Sequence, residues 1–189
     1  MLHREEMDEE AWDTRETFAY FGRTFYMASA LEVGLTHALL FAEFLHDEQQ
    51  RLLAIRKDDF DKKQYQARFD AYVEKQFAQT MGNITWRVER LPEITDDLKS
   101  RIRVAKQRRD YLVHHFWRDR ATEFVTAKGR DQMRTDLLSD MEMFEALDRD
   151  INQAMLPARK RLGIDDEVLA AYNKKIEAKL LAGEALEEE

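Results

Sequence analysis

Residues 9–45 read EEAWDTRETFAYFGRTFYMASALEVGLTHALLFAEFL, and this stretch decides the fold class. Its apolar side chains recur at steps of three and four residues, which is the period of an α-helix with one buried face. The members of this face are Phe18, Phe21, Phe25, Ala28, Leu35, Leu39 and Ala42. We therefore predict a long first helix from about Glu9 to Leu45 that packs into a core.

The same period predicts further helices outward from this stretch, near residues 65–77, 84–91, 137–155 and 169–180. Thr95 and Asp165 are good N-caps for helices that begin after them, and Pro157 should end or kink the helix before it. Only two prolines and six glycines occur in 189 residues. The sequence thus predicts an all-α bundle of about five to six helices in a single domain, 1–189, with frayed acidic ends at 1–8 and 184–189.

Composition excludes several kinds of site and indicates a compartment. The chain has no cysteine, which excludes disulfides, thiol nucleophiles and thiolate metal sites. The acidic start MLHREEMDEE is unlike a signal peptide, and from the sequence no apolar run is expected to reach the length of a membrane span. We expect a cytoplasmic protein that makes no membrane contact and needs neither a metal nor another cofactor.

A basic block interrupts this acidic protein, whose formal net charge is −8. Residues 99–120, KSRIRVAKQRRDYLVHHFWRDR, carry eight Lys or Arg against two Asp, which indicates either a local anion site or a helix face made soluble by cations. On an ideal helix Arg109 falls in the middle of an apolar stripe, and Glu32 does the same on the first helix. Burying either charge alone would cost several kcal/mol, so we predict that Arg109 and Glu32 meet, or that both face a polar cleft.

Asp110 and His114 are four residues apart in this block and can touch on one face of a helix. A carboxylate beside a histidine orients the ring and favours its protonated form, which suits it to proton transfer near neutral pH. The cations around it, Lys106, Arg108 and Arg118, could bind the phosphates of a substrate. This pattern points to acid–base chemistry on RNA, in which a 2′-hydroxyl attacks the neighbouring phosphate.

The run RDYLVHHFW, residues 109–117, resembles the R-x4-6-H motif of the HEPN family, which lies on a helix of a small helical bundle. The first-helix stretch EVGLTHALL is also similar to that family. The resemblance implies a homodimer that cuts RNA without a metal ion, with Arg109 as the phosphate ligand, His114 as the proton-transfer residue and Asp110 at the polar position that follows the arginine. It also implies a toxin or phage-defence role with an antitoxin as a further partner.

Other interpretations stay open beside this one. His115 also satisfies the motif, although it faces a different direction from His114. The main alternative is a catalytically silent module that uses the Arg109 site for dimerisation or for binding a nucleotide or a partner. A di-iron bundle is disfavoured because Glu43 and His46 form a single Glu-x-x-His pair where two are needed. Trp117 could stack a base, but we predict a packing role for it.

Overall fold

Residues 8–56 and 59–183 are described by the computed structural model of the chain, and within these ranges it contains helices and no strand. This confirms the predicted all-α bundle. The expectation of frayed ends falls mostly on residues 1–7 and 184–189, which lie outside the described residues. Asp8 is described, and its carboxylate accepts a hydrogen bond of 2.7 Å from the backbone N–H of Ala11, so it is the N-cap of the first helix.

The described residues form eight α-helices of six residues or more and two single helical turns. In chain order they are α1 Glu9–Leu39, α2 Leu45–Leu53, α3 Lys62–Phe77, α4 Met81–Val88, α5 Asp96–His114, α6 Phe116–Asp119, α7 Ala121–Phe124, α8 Ala127–Ala154, α9 Leu156–Arg161 and α10 Asp166–Leu181. A π-helical segment, Leu40–Phe44, joins α1 to α2 without a break.

The helix count exceeds the predicted five to six for two local reasons. The first helix does not end at Leu45 as predicted but continues to Leu53. The π segment changes the helical phase after Leu39, and the part that follows it is counted as a separate helix, α2. Pro157 interrupts the helix before it, as predicted, but a short helix, α9, restarts immediately with that proline in its first turn. Both predicted N-caps are confirmed, since Thr95 caps α5 and Asp165 caps α10.

The core lies mainly between α1 and α8, which pack along their length, with α4 and α5 against them. Its centre is formed by fully buried side chains of α1, α5 and α8, among them Leu31, Leu35, Leu39, Ile102, Leu112, Leu137, Phe144, Leu147 and Ile151. The apolar stripe predicted for the basic block is confirmed, because its members are buried: Leu98, Ile102, Ala105 and Leu112 of α5, and Phe116 of the turn α6.

The core assignment of Phe18 and Phe25 is wrong. Their side chains are 51% and 39% exposed. On the ideal helix they lie about 80–100° from Leu35, at the edge of the face that α1 buries. There they join an aromatic cluster with the turn α6, in which the rings of Phe18 and Trp117 are 4.9 Å apart and those of Phe21 and Trp117 are 5.0 Å apart. The predicted packing role of Trp117 is confirmed by these contacts.

The continuous helix Glu9–Leu53 is long and apolar enough, by length and composition alone, to cross a membrane. The sequence expectation that no apolar run reaches this length therefore does not hold for this helix. A third of the apolar window is buried inside the bundle. A core helix of a soluble protein passes the same test, so the feature is weak evidence for a membrane span.

Candidate functional site

The candidate site is carried by α5, whose start and end are both fixed by local contacts. The Thr95 hydroxyl accepts a hydrogen bond of 3.3 Å from the N–H of Leu98, and two aspartates in the first turn favour the positive end of the helix. At the other end His114 is the last helical residue, and the N–H of His115 still donates to the carbonyl of Tyr111 at 2.9 Å. The motif residues therefore occupy the last two turns of a firmly anchored helix.

Arg109 and Glu32 meet, as the helix phases predict. One guanidinium nitrogen of Arg109 donates to Glu32 Oε2 at 3.2 Å, and another lies 3.3 Å from Oδ1 of Asp110. The side chains of Arg109 and Glu32 are 26% and 25% exposed, so the pair is partly covered by α1 and α5 but still reaches solvent. Each of the two charges can lie within an apolar stripe because the opposite charge of its partner compensates it.

Lys106 completes this group of charges one turn before Asp110 on α5. Its Nζ donates to Asp110 Oδ2 at 2.7 Å, and its stem reaches over the start of α4, where a Cβ added to Gly82 would lie 3.5 Å from Lys106 Cε. Burial raises the pKa of Asp110, but the hydrogen bonds and charges of Lys106 and Arg109 outweigh burial and hold that pKa below its usual value. Glu32, Arg109, Asp110 and Lys106 thus form one chain of alternating charges, which we call the charge cluster.

The predicted contact between Asp110 and His114 is absent, which corrects the sequence interpretation. Among the described residues the hydrogen bonds of Asp110 go to Lys106 and Arg109. Lys106 lies four residues before Asp110, just as His114 lies four residues after it. The ammonium group of Lys106, and not the imidazole of His114, pairs with the carboxylate of Asp110. The side chain of His114 is exposed, with its ring centre 6.3 Å from that of His115.

The three cations predicted to bind substrate differ in their surroundings. Arg108 donates to Asp140 Oδ1 at 2.7 Å and lies over the ring of Tyr111, 4.6 Å from its centre. Lys106 belongs to the charge cluster. Arg118 is the most exposed of them, at 69%, and its guanidinium contacts Asp119 at 2.9 Å and Nδ1 of His115 at 2.6 Å.

Asp140 is a site residue that the sequence reasoning missed. It lies on α8 in the apolar stripe of Leu137, Met141 and Phe144, and burial raises its pKa although Arg108 lowers it in part. A carboxylate within an apolar stripe is the same signal that identified Glu32, so a helical projection of α8 could have found it. Its carboxylate accepts the hydrogen bond of Arg108 and so connects α5 to α8.

A second cluster of charges, also missed from the sequence, joins the starts of α1 and α8. The carboxylate of Asp13 accepts hydrogen bonds from both Arg130 and Arg134, and Arg134 also donates to Thr17 Oγ1 at 3.1 Å. Burial raises the pKa of Asp13, but the two arginines lower it further and leave it below its usual value. Because one carboxylate of α1 binds two arginines of α8, this cluster holds the two long helices in register.

Glu43, the carboxylate of the disfavoured di-iron motif, is engaged elsewhere. Its Oε2 accepts hydrogen bonds from Arg87 of α4 and, at 3.2 Å, from the hydroxyl of Tyr72 of α3. These contacts tie the π segment to α3 and α4.

Comparison of the chain with protein-family models, with curated proteins and with solved structures found no match in any of the three. The resemblance to the HEPN family therefore rests on the motif residues of α5 and on the helical setting.

Proposed function

We propose that this protein is a metal-independent endoribonuclease of the HEPN type, in which Arg109 binds the scissile phosphate and His114 transfers the proton. The observation that carries the proposal is the charge cluster. It presents a partly exposed guanidinium on a rigid helix whose last turn carries an exposed histidine. A cation and an imidazole at one helix end are the two groups that this cleavage needs.

In the proposed reaction the 2′-hydroxyl oxygen of RNA attacks the adjacent phosphorus. The bond between phosphorus and the 5′-oxygen breaks, which leaves a 2′,3′-cyclic phosphate and a free 5′-hydroxyl. His114 accepts the proton from the 2′-hydroxyl, and the leaving 5′-oxygen takes a proton from a water molecule, so that His114 returns its own proton to solvent afterwards. Arg109 stabilises the negative charge that develops on the phosphoryl oxygens, while Glu32 and Asp110 hold the guanidinium in place. Asp110 is thus a positioning residue for Arg109 rather than a partner of His114.

A second copy of the chain is part of this proposal. Arg109 and His114 are five residues apart, which places them about 140° apart around an ideal helix. One α5 therefore directs the two side chains to different sides, and a homodimer could combine the arginine of one protomer with the histidine of the other. Lys106, Arg108 and Arg118 would then line the path of the RNA backbone, with Arg118 the most accessible of the three.

Cleavage of RNA by the purified protein in excess EDTA tests the proposal. We expect the wild type to leave 2′,3′-cyclic phosphate ends and the variant His114→Ala to lose cleavage while keeping its circular dichroism spectrum. The matched control is His46→Ala, which removes another exposed histidine from a different helix and should leave cleavage unchanged. The variant His115→Ala decides between the two motif histidines. Cleavage that is equal in wild type, His114→Ala and His115→Ala contradicts the proposal.

The alternative function is a catalytically silent module that binds a partner or a nucleotide through the same face. Two features favour it: the cations of the charge cluster are matched by carboxylates, and the exposed rings of Phe18 and Phe25 lie on the same helix as Glu32. This module would cleave no RNA in any variant. Its association with a partner would instead weaken when an exposed ring is replaced, as in Phe25→Glu.

A toxin or phage-defence role in the cytoplasm, with an antitoxin protein as partner, belongs to the same proposal. Expression of the wild type and of His114→Ala in a bacterial host tests it. Growth arrest by the wild type alone is the expected result.

A further inference from the structure

Trp86 lies on the solvent side of α4, and 59% of its surface is exposed. The guanidinium of Arg90 lies over the indole ring, with its central carbon 3.2 Å from the ring centre. One nitrogen of the same guanidinium donates to the backbone carbonyl of Trp86 at 3.2 Å. These two contacts hold the side chains in one stacked arrangement, which we call the Trp86–Arg90 platform.

The charge of Arg90 is not balanced by a carboxylate. Among the residues that the structure describes it forms no ion pair, whereas the neighbouring cations on α5 do. Arg103 pairs with Glu89 at 2.5 Å, and Lys106 pairs with Asp110 at 2.7 Å. The platform thus combines an exposed aromatic ring with an unbalanced planar cation, which suits a ligand that is both flat and negatively charged.

The platform borders the charge cluster. On an ideal helix Gly82 and Glu89 lie about 20° apart, and both face α5. A Cβ on Gly82 would lie 3.5 Å from Cε of Lys106, and Glu89 pairs with Arg103. Trp86 falls about 40–60° from these two positions, on the edge of α4 that is next to α5. The indole therefore lies on the side of α4 over which the stem of Lys106 reaches.

A nucleotide supplies both properties, since its base is flat and its phosphate is an anion. Bases stack on aromatic rings and on guanidinium planes, and they do so whatever their identity, because every base has a π face. In a double helix each base is covered by its neighbours in the stack. Only an unpaired nucleotide can therefore place its base on a side chain at the protein surface.

We propose that the Trp86–Arg90 platform stacks an unpaired base in the same strand as the phosphate that Arg109 binds, so that the substrate class is single-stranded RNA. Lys106 contacts α4 at Gly82 and the charge cluster at Asp110, so it would follow the backbone between the two sites. The inference deepens the proposed function and rests on it for the choice of RNA as the ligand. Stacking tolerates any base, so the platform selects unpaired strands and not a sequence.

Binding of an RNA analogue that cannot be cleaved tests the platform. The probe is a fluorescein-labelled 2′-O-methyl oligouridylate, which lacks the attacking 2′-hydroxyl, and its affinity is measured by fluorescence anisotropy. We expect Trp86→Ala to raise the dissociation constant about 5- to 100-fold, which is the effect of losing one stacked base. Arg90→Lys keeps the charge but loses the planar group, and it should raise the dissociation constant at least twofold.

The matched control is Trp12→Ala, which removes another tryptophan that has an arginine over its ring, Arg15 at 5.4 Å. Trp12 lies about 30 Å before Glu32 along α1, so this variant should change the dissociation constant less than twofold. Because Trp86 is exposed, circular dichroism should show Trp86→Ala folded. The same probe annealed to its complementary strand should bind at least fivefold more weakly than the single strand.

Three results would overturn the proposal: affinity for the duplex within fivefold of that for the single strand, a rise below fivefold in Trp86→Ala, or an equal rise in Trp12→Ala. No binding of the single strand would also overturn it, in favour of a protein partner for the exposed ring. Cleavage of unmodified RNA is measured separately. Cleavage by the wild type without these differences in binding refutes the platform alone, whereas the differences without cleavage refute the ribonuclease alone.

Discussion

Replacing Glu32 by glutamine removes one charge from the charge cluster and keeps the size of the side chain. Arg109 then stays three-quarters covered, with Asp110 at 3.3 Å as its remaining carboxylate. At the observed separation of 3.2 Å the gross attraction between Arg109 and Glu32 is about 5 kcal/mol at an effective dielectric constant of about 20. The cost of desolvating both groups offsets most of this attraction.

The net loss of stability can be bracketed from the exposure of the pair. Removing one partner of a fully buried pair costs about 3–5 kcal/mol, while a fully exposed pair contributes about 0–1 kcal/mol. Because the pair is partly exposed and Asp110 still compensates Arg109, we expect Glu32→Gln to lower the free energy of unfolding by about 1–2 kcal/mol. For a chain of this size the melting temperature should fall by about 2–4 °C for each kcal/mol.

A double-mutant cycle isolates the pair from its surroundings. Urea unfolding of the wild type, Glu32→Gln, Arg109→Gln and the double variant should give a coupling energy of about 1 kcal/mol. The matched control is the pair of Arg101 and Asp150, which is closer at 2.7 Å but more exposed, at 38% and 50%. Its coupling should stay below about 0.5 kcal/mol. If the pair of Arg109 and Glu32 couples no more strongly than this control, burial of the charge cluster does not stabilise the fold and the reasoning is refuted.

Three further perturbations test the packing and the buried charges, each by urea unfolding. A Cβ added by Gly129→Ala would lie 2.0 Å from a backbone carbonyl oxygen of α7, so the free energy of unfolding of this variant should fall by about 1–3 kcal/mol. Its control, Gly22→Ala, adds a Cβ that meets no atom within 4 Å and should raise the free energy of unfolding by about 0.5–1 kcal/mol. Equal effects of the two variants would contradict the close contact at Gly129. Hydrogen bonds from Arg68 lower the pKa of Glu48 below its ordinary 4.5, so the stability that this ion pair contributes is fully present above pH 4.5 and is lost as the pH falls through the lowered value. The difference in free energy of unfolding between the wild type and Glu48→Gln should therefore be constant from pH 5 to 7 and shrink towards pH 3. A difference that grows on acidification would contradict a lowered pKa of Glu48. Asp13→Asn removes the carboxylate that Arg130 and Arg134 share, and only Arg134 keeps another, that of Asp131 at 3.3 Å. This variant should cost about 2–4 kcal/mol, so a loss below about 1 kcal/mol would show that the cluster is dispensable.

Helical periodicity predicted the all-α class, the long first helix and the stripe of α5, because burial of one helix face imposes that period directly. It also predicted the meeting of Arg109 and Glu32, since two opposite charges in two apolar stripes compensate each other most simply by contact. The failures have equally local causes. The contact of Asp110 with His114 was predicted from spacing alone, and spacing cannot decide between partners on the preceding and the following turn.

The positions of Phe18 and Phe25 show a second limit of the pattern. A face of aromatic residues at helical spacing can lie in the core or at its edge, and only the packing of α1 on α8 decides which. The π segment has no signal in the residue pattern that the periodicity could use, because its apolar residues fit an ordinary α-helix as well. The partners of Asp13 and Asp140 come from distant parts of the chain, so their contacts depend on how the helices assemble.

The π segment sets the rotation of everything that follows it relative to α1. In this segment the backbone N–H of residue i+5 donates to the carbonyl of residue i, as that of Leu45 does to Leu40, so Leu40–Phe44 holds one more residue than an α-helical turn would. Deleting one residue there would restore continuous α-helix and rotate everything after it by about 100° relative to α1. Glu48 would then turn away from Arg68. Such a deletion would keep the helix continuous but break the ion pair of Glu48 with Arg68, so the extra residue in the π segment is what allows α3 to attach to α2.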